Sequence, residues 1–333
     1  MVLVLLAGGL ALRGFHKDVP RAYNATEVTR SAQAWTGPRR DASKQQQHAR
    51  HDAARAACAK HDSSVVRANT DAKSFQETGG WCLPEGRNAS SRVALPHGQS
   101  YDLPRVHALP DFIMLRFLDR LLRACDPAGD SVCTSPPHLS VLDFGAGVGQ
   151  YGHSLLAMEP RHRYSGYDGA GNVEGVTARF VSWADLTSPT LSLHKADWVL
   201  SLAVGEHVPN PLEKDFVRNL DAHNCCGILL CWGYLREWGR GHVNNHGNLY
   251  MQTLFEELGY TLDEKASLAL RTQHHPSQAA RQRARWEAEA ARLAAGGPYW
   301  WFSKGVYLLR RRQPDTGPGC RAARCALAEE PVP

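Results

Sequence analysis

Apolar residues recur along this chain with two periods, and from residue 140 onward the two alternate. Short apolar runs at 141–144, 198–203 and 227–232 have the length and flanking turn residues of strands, and the aromatic-bearing segments 164–167 and 179–183 take strand places in the same alternation. Between them, 150–158, 212–220 and 249–258 carry apolar residues at helical spacing, the last closed by Gly259 as a C-cap. Upstream, 112–124 places Phe112, Leu115, Leu118, Leu121 and Leu122 on one helix face, with Asp111 as its N-cap. Strands alternating with helices imply a parallel sheet with helices on both faces. Downstream, 260–270 reads as a sixth strand, 277–295 as an Arg, Glu and Ala-rich helical insert, and 299–309 as a seventh strand. That last strand is reached without a crossover long enough for parallel pairing, so it is expected to run antiparallel at the sheet's edge.

The first part of the chain lacks this pattern. Residues 1–13 form an apolar segment of signal or anchor character, too short to span a bilayer, and any membrane anchoring would run through residues 2–12. Residues 14–75 hold no sustained apolar period and read as a low-order stem or linker. An Ala-rich helix at 48–60 would be marginal without an apolar face. The ordered domain is expected over 76–312, with its core at 140–310, followed by a disordered tail at 313–333. Asn24-Ala-Thr and Asn88-Ala-Ser are glycosylation acceptors. With the apolar start they favour the secretory lumen or secretion over a cytoplasmic or organellar location.

Charge and cysteine content narrow the class. The 38 basic and 33 acidic residues leave a net charge of +5, and no basic stretch is interleaved with aromatics, so no nucleic-acid partner is expected. Nine cysteines are scattered without the paired spacing of a zinc site, and their odd number leaves at least one thiol outside any disulfide framework. The cluster of His223, Cys225, Cys226 and Cys231 lies on an apolar strand, where alternate side chains point to opposite faces.

The chemistry centres on 141–152, Val-Leu-Asp-Phe-Gly-Ala-Gly-Val-Gly-Gln-Tyr-Gly, in which a strand runs through a glycine turn into a helix. Such a turn brings backbone amides up to a ligand. Gly147, Gly149 and Gly152 alone satisfy the dinucleotide fingerprint. Asp168, at the end of the next strand, suits the ribose hydroxyls of NAD or of S-adenosylmethionine (SAM) alike. Asp143 adds the pattern Asp-x-Gly-x-Gly-x-Gly, and with it the chain resembles class I SAM-dependent methyltransferases over about half its length. The resemblance implies a Rossmann-like fold, SAM as cofactor, Asp143 near the amino group of its methionine part, Gly145, Gly147 and Gly149 along that part, Asp168 on the ribose and Asp185 on the adenine amine. The chain is also similar to uncharacterised methyltransferase-like proteins that combine Gly-Gly-Trp-Cys, Val-Gly-Glu-His and His-Val-Asn segments.

On the acceptor side, Glu206 and His207 follow the fourth strand, where ligand crevices open in parallel sheets. His207 is a candidate proton acceptor, with Glu206 to orient it or to bind a cationic acceptor. The glycine-rich segment 232–248 adds His242, Asn244 and His246 as candidate substrate residues. A metal held by His207, His242 and His246 is weighed and set aside, since direct methyl displacement needs none. The expected activity is methyl transfer to an O or N nucleophile of a small-molecule, glycan or peptide acceptor. A NAD(P)-dependent oxidoreductase and a catalytically inactive methyltransferase-like binding protein are the alternatives. Ala203 stands where related enzymes often place a polar residue toward the acceptor.

Overall fold

A computed structural model describes residues 44–59, 78–83, 89–94, 100–104, 109–123, 139–239, 241–275, 299–320 and 325. The apolar start, Asn24, Asn88 and the expected insert at 277–295 lie outside them. Helix α1 (Lys44–Ala59) precedes a hairpin of β1 (Ala89–Ala94) and β2 (Ser100–Pro104), then α2 (Phe112–Arg123). The alternating part follows as β3 (Ser140–Phe144), α3 (Gln150–Met158), β4 (Arg163–Asp168), the short α4 (Val173–Val176), β5 (Val181–Trp183) and β6 (Ala196–Leu202). It continues through α5 (Asn210–Ala222), β7 (Asn224–Cys231), α6 (Asn248–Glu257), β8 (Tyr260–Leu262), α7 (Glu264–Gln273) and β9 (Val306–Arg311).

The seven strands β3 to β9 form one sheet in the order β5-β4-β3-β6-β7-β9-β8. Every pairing is parallel except those of β9, which runs antiparallel to both neighbours. Successive residues of the central strands enter opposite cores. Val141, Leu229 and Leu308 pack with α2, α3 and α7, while Leu142, Leu230 and Leu309 pack with α5 and α6. Burial on both faces is why these strands read as continuous apolar runs. Helix α2 alone buries eight apolar side chains, each contributing about 1.5–3 kcal/mol. Asp111 caps it as expected, its Oδ1 accepting the amides of Ile113 and Met114. The same buried carboxylate pairs with the ring of His274, the residue that ends α7, and accepts the Tyr299 amide, so the cap also joins three distant segments.

Five expectations need correction. The run 260–270 is a strand only to Leu262, because Asp263 accepts the Ala266 amide as the N-cap of α7. Within 299–309, Trp300–Ser303 is a 3-10 turn and the strand starts at Val306. That strand is second from the edge, since its backbone ladder is filled from both sides and its first four residues are buried on both faces. The described part of the tail is docked rather than loose. The Asp315 amide donates to the Cys225 carbonyl, its carboxylate pairs with Lys195, and Cys320 and Cys325 form disulfides with the adjacent Cys225 and Cys226 of β7.

The expected stem likewise contains an ordered helix, α1, that buries Ala54 and Cys58 and is tied by a Cys58–Cys82 disulfide to the segment before the domain. Among the described residues the free thiol is Cys231, buried in β7.

The two tail disulfides close loops of 95 and 99 residues, for which chain entropy gives about 4–5 kcal/mol per closure. They share most of that loop, so the Cys225→Ser/Cys226→Ser double variant should lose about 4–5 kcal/mol rather than twice that. Denaturant midpoints of the oxidised wild type and the double variant measure the difference, and equal midpoints would refute the pairing.

Candidate functional site

The carboxyl ends of β3, β4, β5, β6 and β7 face one crevice, and each delivers a residue singled out in the sequence. After β3 the chain turns through Gly145, whose amide donates to the Tyr167 carbonyl at 2.8 Å. A β-carbon at Gly145 would lie 2.3 Å from a Val204 methyl, so the glycine turn and the turn after β6 touch and admit no side chain between them. Asp168 at the end of β4 accepts the Gly147 amide through Oδ2 and the Ala170 amide through Oδ1, both at 2.8 Å. A carboxylate offers about four lone pairs, so capacity for further donors remains. Gly152 serves packing instead. A β-carbon there would sit 2.2 Å from the Tyr164 ring, and Tyr164 in turn donates its hydroxyl to Asp143 at 2.8 Å. Burial pushes the Asp143 carboxyl up to about 7, with the nearby Asp168 adding to the rise and the Tyr164 hydrogen bond opposing it.

Asp185, after β5, is held by its own loop and by α1. Its Oδ1 accepts the Thr187 amide and hydroxyl, and its Oδ2 pairs with Arg50 at 2.6 Å. His51 stacks on Trp183 with ring centroids 4.5 Å apart. A cleft of about 200 Å³ lies between them, lined by Gln47, Arg50, His51, Trp183, Asp185 and Leu193. The segment 79–83 crosses the same crevice. A β-carbon on Gly79 would meet the His207 carbonyl at 2.2 Å, one on Gly80 would meet Gly169 at 3.3 Å, and Trp81 packs edge-on against His207 at 4.8 Å. Leu83 exchanges two hydrogen bonds with Asn172. Arg50, His51, Gly79 and Trp81 were not identified as site residues from sequence. The Gly-Gly-Trp-Cys segment was the available signal, because paired glycines beside a tryptophan mark a close backbone approach.

Beyond β6, Ala203 adopts a left-handed backbone (φ 55°), a conformation costing a non-glycine residue about 1–2 kcal/mol. The kink turns the chain into the 3-10 segment Gly205–His207. Glu206 is buried, and one of its oxygens, Oε2, has no hydrogen-bond partner. Burial raises its carboxyl to about 8, against the opposing effect of the backbone amides of Glu206 and Gly233. Burial and the neighbouring His242 lower His207 to about 4, so its ring is neutral at pH 7. Its orienting partner is the Gly241 carbonyl, 3.1 Å from Nδ1, rather than Glu206. His242 packs edge-on to His207 at 5.1 Å, and its Nδ1 is buried without a hydrogen bond; burial lowers the ring's pKa, against the nearby Glu237 and the Asn245 side chain, which raise it. Glu206, His207 and His242 each present a donor atom within 4.8 Å of the other two.

Asn244 does not act in this group. Its side-chain amide donates to Glu213 on α5 at 2.7 Å, its Oδ1 accepts from Asn210, and its carbonyl accepts the Trp232 indole N–H. The candidate substrate residue is therefore a scaffold residue. His246 also turns away from His207 and His242, its Nε2 lying 2.9 Å from Glu213, so the histidine trio weighed in the sequence is not assembled. Tyr250 donates to the same carboxylate. These hydrogen bonds and the His246 ring hold Glu213 below the ordinary carboxylate value despite its burial.

Neither a protein-family model nor a curated protein matches the sequence. Among solved structures the chain is similar to magnesium protoporphyrin IX methyltransferase (ChlM) from Synechocystis PCC 6803 with bound SAM, at 18% identity and a TM-score of 0.31. That match covers 38% of this chain and 61% of the other, under two thirds of its length. A SAM-dependent methyltransferase from Geobacter sulfurreducens in complex with S-adenosyl-L-homocysteine is 18% identical over 63% of this chain and 94% of its own, with a TM-score of 0.33. The YcgJ protein from Bacillus subtilis is 14% identical over 59% and 94% respectively, with a TM-score of 0.34. The strand order is decisive on its own, because the last strand inserts antiparallel between the fifth and sixth. The fold is that of the class I methyltransferases. Here the glycine turn after β3 and the carboxylate ending β4 lie side by side, joined by the hydrogen bond from the Gly147 amide to Asp168.

The Glu213 cluster has a measurable signature. Because its folded value lies below 4.5, the stability it contributes is present above about pH 4.5 and is lost as pH falls through the folded value. Glu213→Gln should cost about 2–3 kcal/mol at pH 7, and the gap to wild type should close on acidification. Urea denaturation at pH 7 and at pH 4 measures both, and a constant gap would show that the carboxylate charge is not what holds the loop.

Proposed function

We propose that the chain is a SAM-dependent methyltransferase that passes a methyl group to an oxygen or nitrogen nucleophile by direct displacement. The observation that carries this reading is the joint placement of the Gly145–Gly149 turn and the Asp168 carboxylate at the carboxyl ends of β3 and β4 in a class I methyltransferase fold. The cradle suits the cofactor, since side chains at Gly145 and Gly149 would collide with Val204 and Phe180 and both positions have φ near +80°. Asp168 accepts the ribose hydroxyls. Asp143, fixed by Tyr164, takes the ammonium of the methionine part, and the Trp183–Asp185 loop with α1 supplies an enclosed cleft for the purine ring. When bound, SAM supplies a methyl carbon made electrophilic by its sulfonium. Glu206, His207 and His242 form the rim toward the acceptor, where a proton leaving a hydroxyl or amine meets groups able to carry it.

The acceptor is a small molecule, a glycan or a peptide. We place the enzyme in the secretory lumen, a reading supported by the Cys58–Cys82, Cys225–Cys320 and Cys226–Cys325 disulfides, which persist in oxidising compartments. No helix among the described residues is long and apolar enough to cross a membrane.

Calorimetric titration of the full chain should show SAM binding that Asp168→Ala weakens at least tenfold, with no binding of NADH. NADH binding in place of SAM would overturn the reading, and binding of neither would leave a domain without cofactor. The pH dependence is a second check. The Asp143 carboxyl is raised from 3.8 to about 7 and is neutral below that, whereas a cationic ammonium favours the ionised form. SAM affinity should therefore rise between pH 6 and 8, by up to about tenfold, and Asp143→Asn should flatten the rise.

A further inference from the structure

Three groups at the acceptor rim fit a cation better than they fit one another. Glu206, His207 and His242 come from two loops that meet only in the folded chain, and one donor atom from each lies within 4.8 Å of the other two. Two of the side chains carry buried atoms without a hydrogen bond, Glu206 Oε2 and His242 Nδ1, and Asn245, whose side chain acts on the His242 ring, leaves its own Oδ1 unsatisfied as well. A buried polar atom without a partner costs about 1–3 kcal/mol, and two in one cluster call for an explanation. His207 is pre-set as metal ligands commonly are. Its Nδ1 is engaged by the Gly241 carbonyl, which fixes the ring and leaves Nε2 as the free donor.

The loops themselves are pinned. The Glu206 carbonyl accepts the amides of Val243 and Asn244 at 2.9 and 3.0 Å, which clamps the His242 loop onto the turn that carries the other two groups.

We propose that Glu206, His207 and His242 bind a divalent transition-metal ion, of which Zn²⁺ is the best fit, through one carboxylate and two imidazoles. Two nitrogens and one oxygen are a donor set for Zn²⁺ or Fe²⁺ rather than for Mg²⁺ or Ca²⁺, which prefer all-oxygen shells. A tetrahedral ion with bonds of about 2.1 Å spaces its ligands about 3.4 Å apart. The cluster therefore closes onto an ion with side-chain rotations of about an ångström. Three protein ligands leave at least one position for an exogenous oxygen or nitrogen ligand, the arrangement of catalytic rather than structural sites. The free thiol Cys231 is not among the donors.

The test uses the full chain, stripped with a chelator and titrated with Zn²⁺ against a chromophoric competitor. One equivalent should bind, and Glu206→Gln and His242→Ala should each weaken it by about 100-fold. His194→Ala, remote from the cluster, should leave affinity unchanged. A Co²⁺-loaded wild type supplies a readout that needs no variant: visible d–d bands of a four- or five-coordinate nitrogen and oxygen site, without a thiolate charge-transfer band. Six-coordinate Co²⁺ spectra, a thiolate band, or full Zn²⁺ affinity in a folded Glu206→Gln/His242→Ala double variant would each overturn the proposal. The readout is independent of SAM, so a chain that binds Zn²⁺ but not SAM would sink the methyltransferase reading alone, and the reverse result would sink the metal site alone.

Discussion

The acceptor side of the crevice depends on one buried carboxylate. Glu213 lies on α5, within the core, and a charge there is tolerated only because Asn244, His246 and Tyr250 all donate to it. Those three partners sit on the segment after β7 and at the start of α6, so satisfying Glu213 pulls that segment down onto α5. The consequence extends further through the backbone. With Asn244 fixed, its amide and that of Val243 reach the Glu206 carbonyl, and the Asn244 carbonyl takes the indole N–H of buried Trp232. Removing the Glu213 charge would thus release the His242 loop without touching any group that faces the crevice.

The cofactor side is held in a different way. There the backbone carries the geometry: β3 and β4 pair in register from Ser140 to Phe144, and the Tyr167 carbonyl takes the first two amides of the glycine turn. What closes over this half comes from far upstream. Helix α1 reaches it through Arg50 and His51, and the segment 79–83 lies against His207 and Gly169, with the Cys58–Cys82 disulfide joining the two. A helix of low apolar content gains little from burial alone. Its covalent tie and its ion pair to Asp185 supply what its sequence lacks.

This difference explains what was legible in the sequence. Strands β3, β6 and β7 and helices α2, α5 and α6 were readable within a few residues, because burial on both faces of a parallel sheet imposes unbroken apolar runs and the helices follow with a clear period, whereas β4, Arg-Tyr-Ser-Gly-Tyr-Asp and only partly buried, was readable from its place in the strand and helix alternation. Asp143, Asp168 and the glycines were readable because a polar residue ending such a run stands out. The docking of the tail and of α1 was not, although an Ala-rich helix at 48–60 was legible as a marginal one, since what fixes both is pairing between cysteines dozens of residues apart, and spacing alone does not reveal a pairing. At 260–270 the strand-like start Tyr-Thr-Leu hid the Asp263 cap that converts strand into helix. The position of β9 inside the sheet was hidden for a related reason: hydrogen-bond direction is visible in a connection's length, but which neighbour a strand chooses is not.

Asn244, His246 and His242 illustrate the remaining limit. All three are polar residues in one glycine-rich loop, and sequence gives no ground for separating them. The structure separates them by what lies beneath. Glu213 is on a helix more than twenty residues earlier, and its carboxylate claims Asn244 and His246 because they fall on the side of the loop facing α5. His242 falls on the other side, against His207, where Glu237 acts on its ring through charge but no side chain of the scaffold hydrogen-bonds its Nδ1. The division of labour within the loop is thus set by the position of one acid in a preceding helix. A polar residue in such a loop is free for chemistry only when the scaffold's own buried charges have already been satisfied by its neighbours.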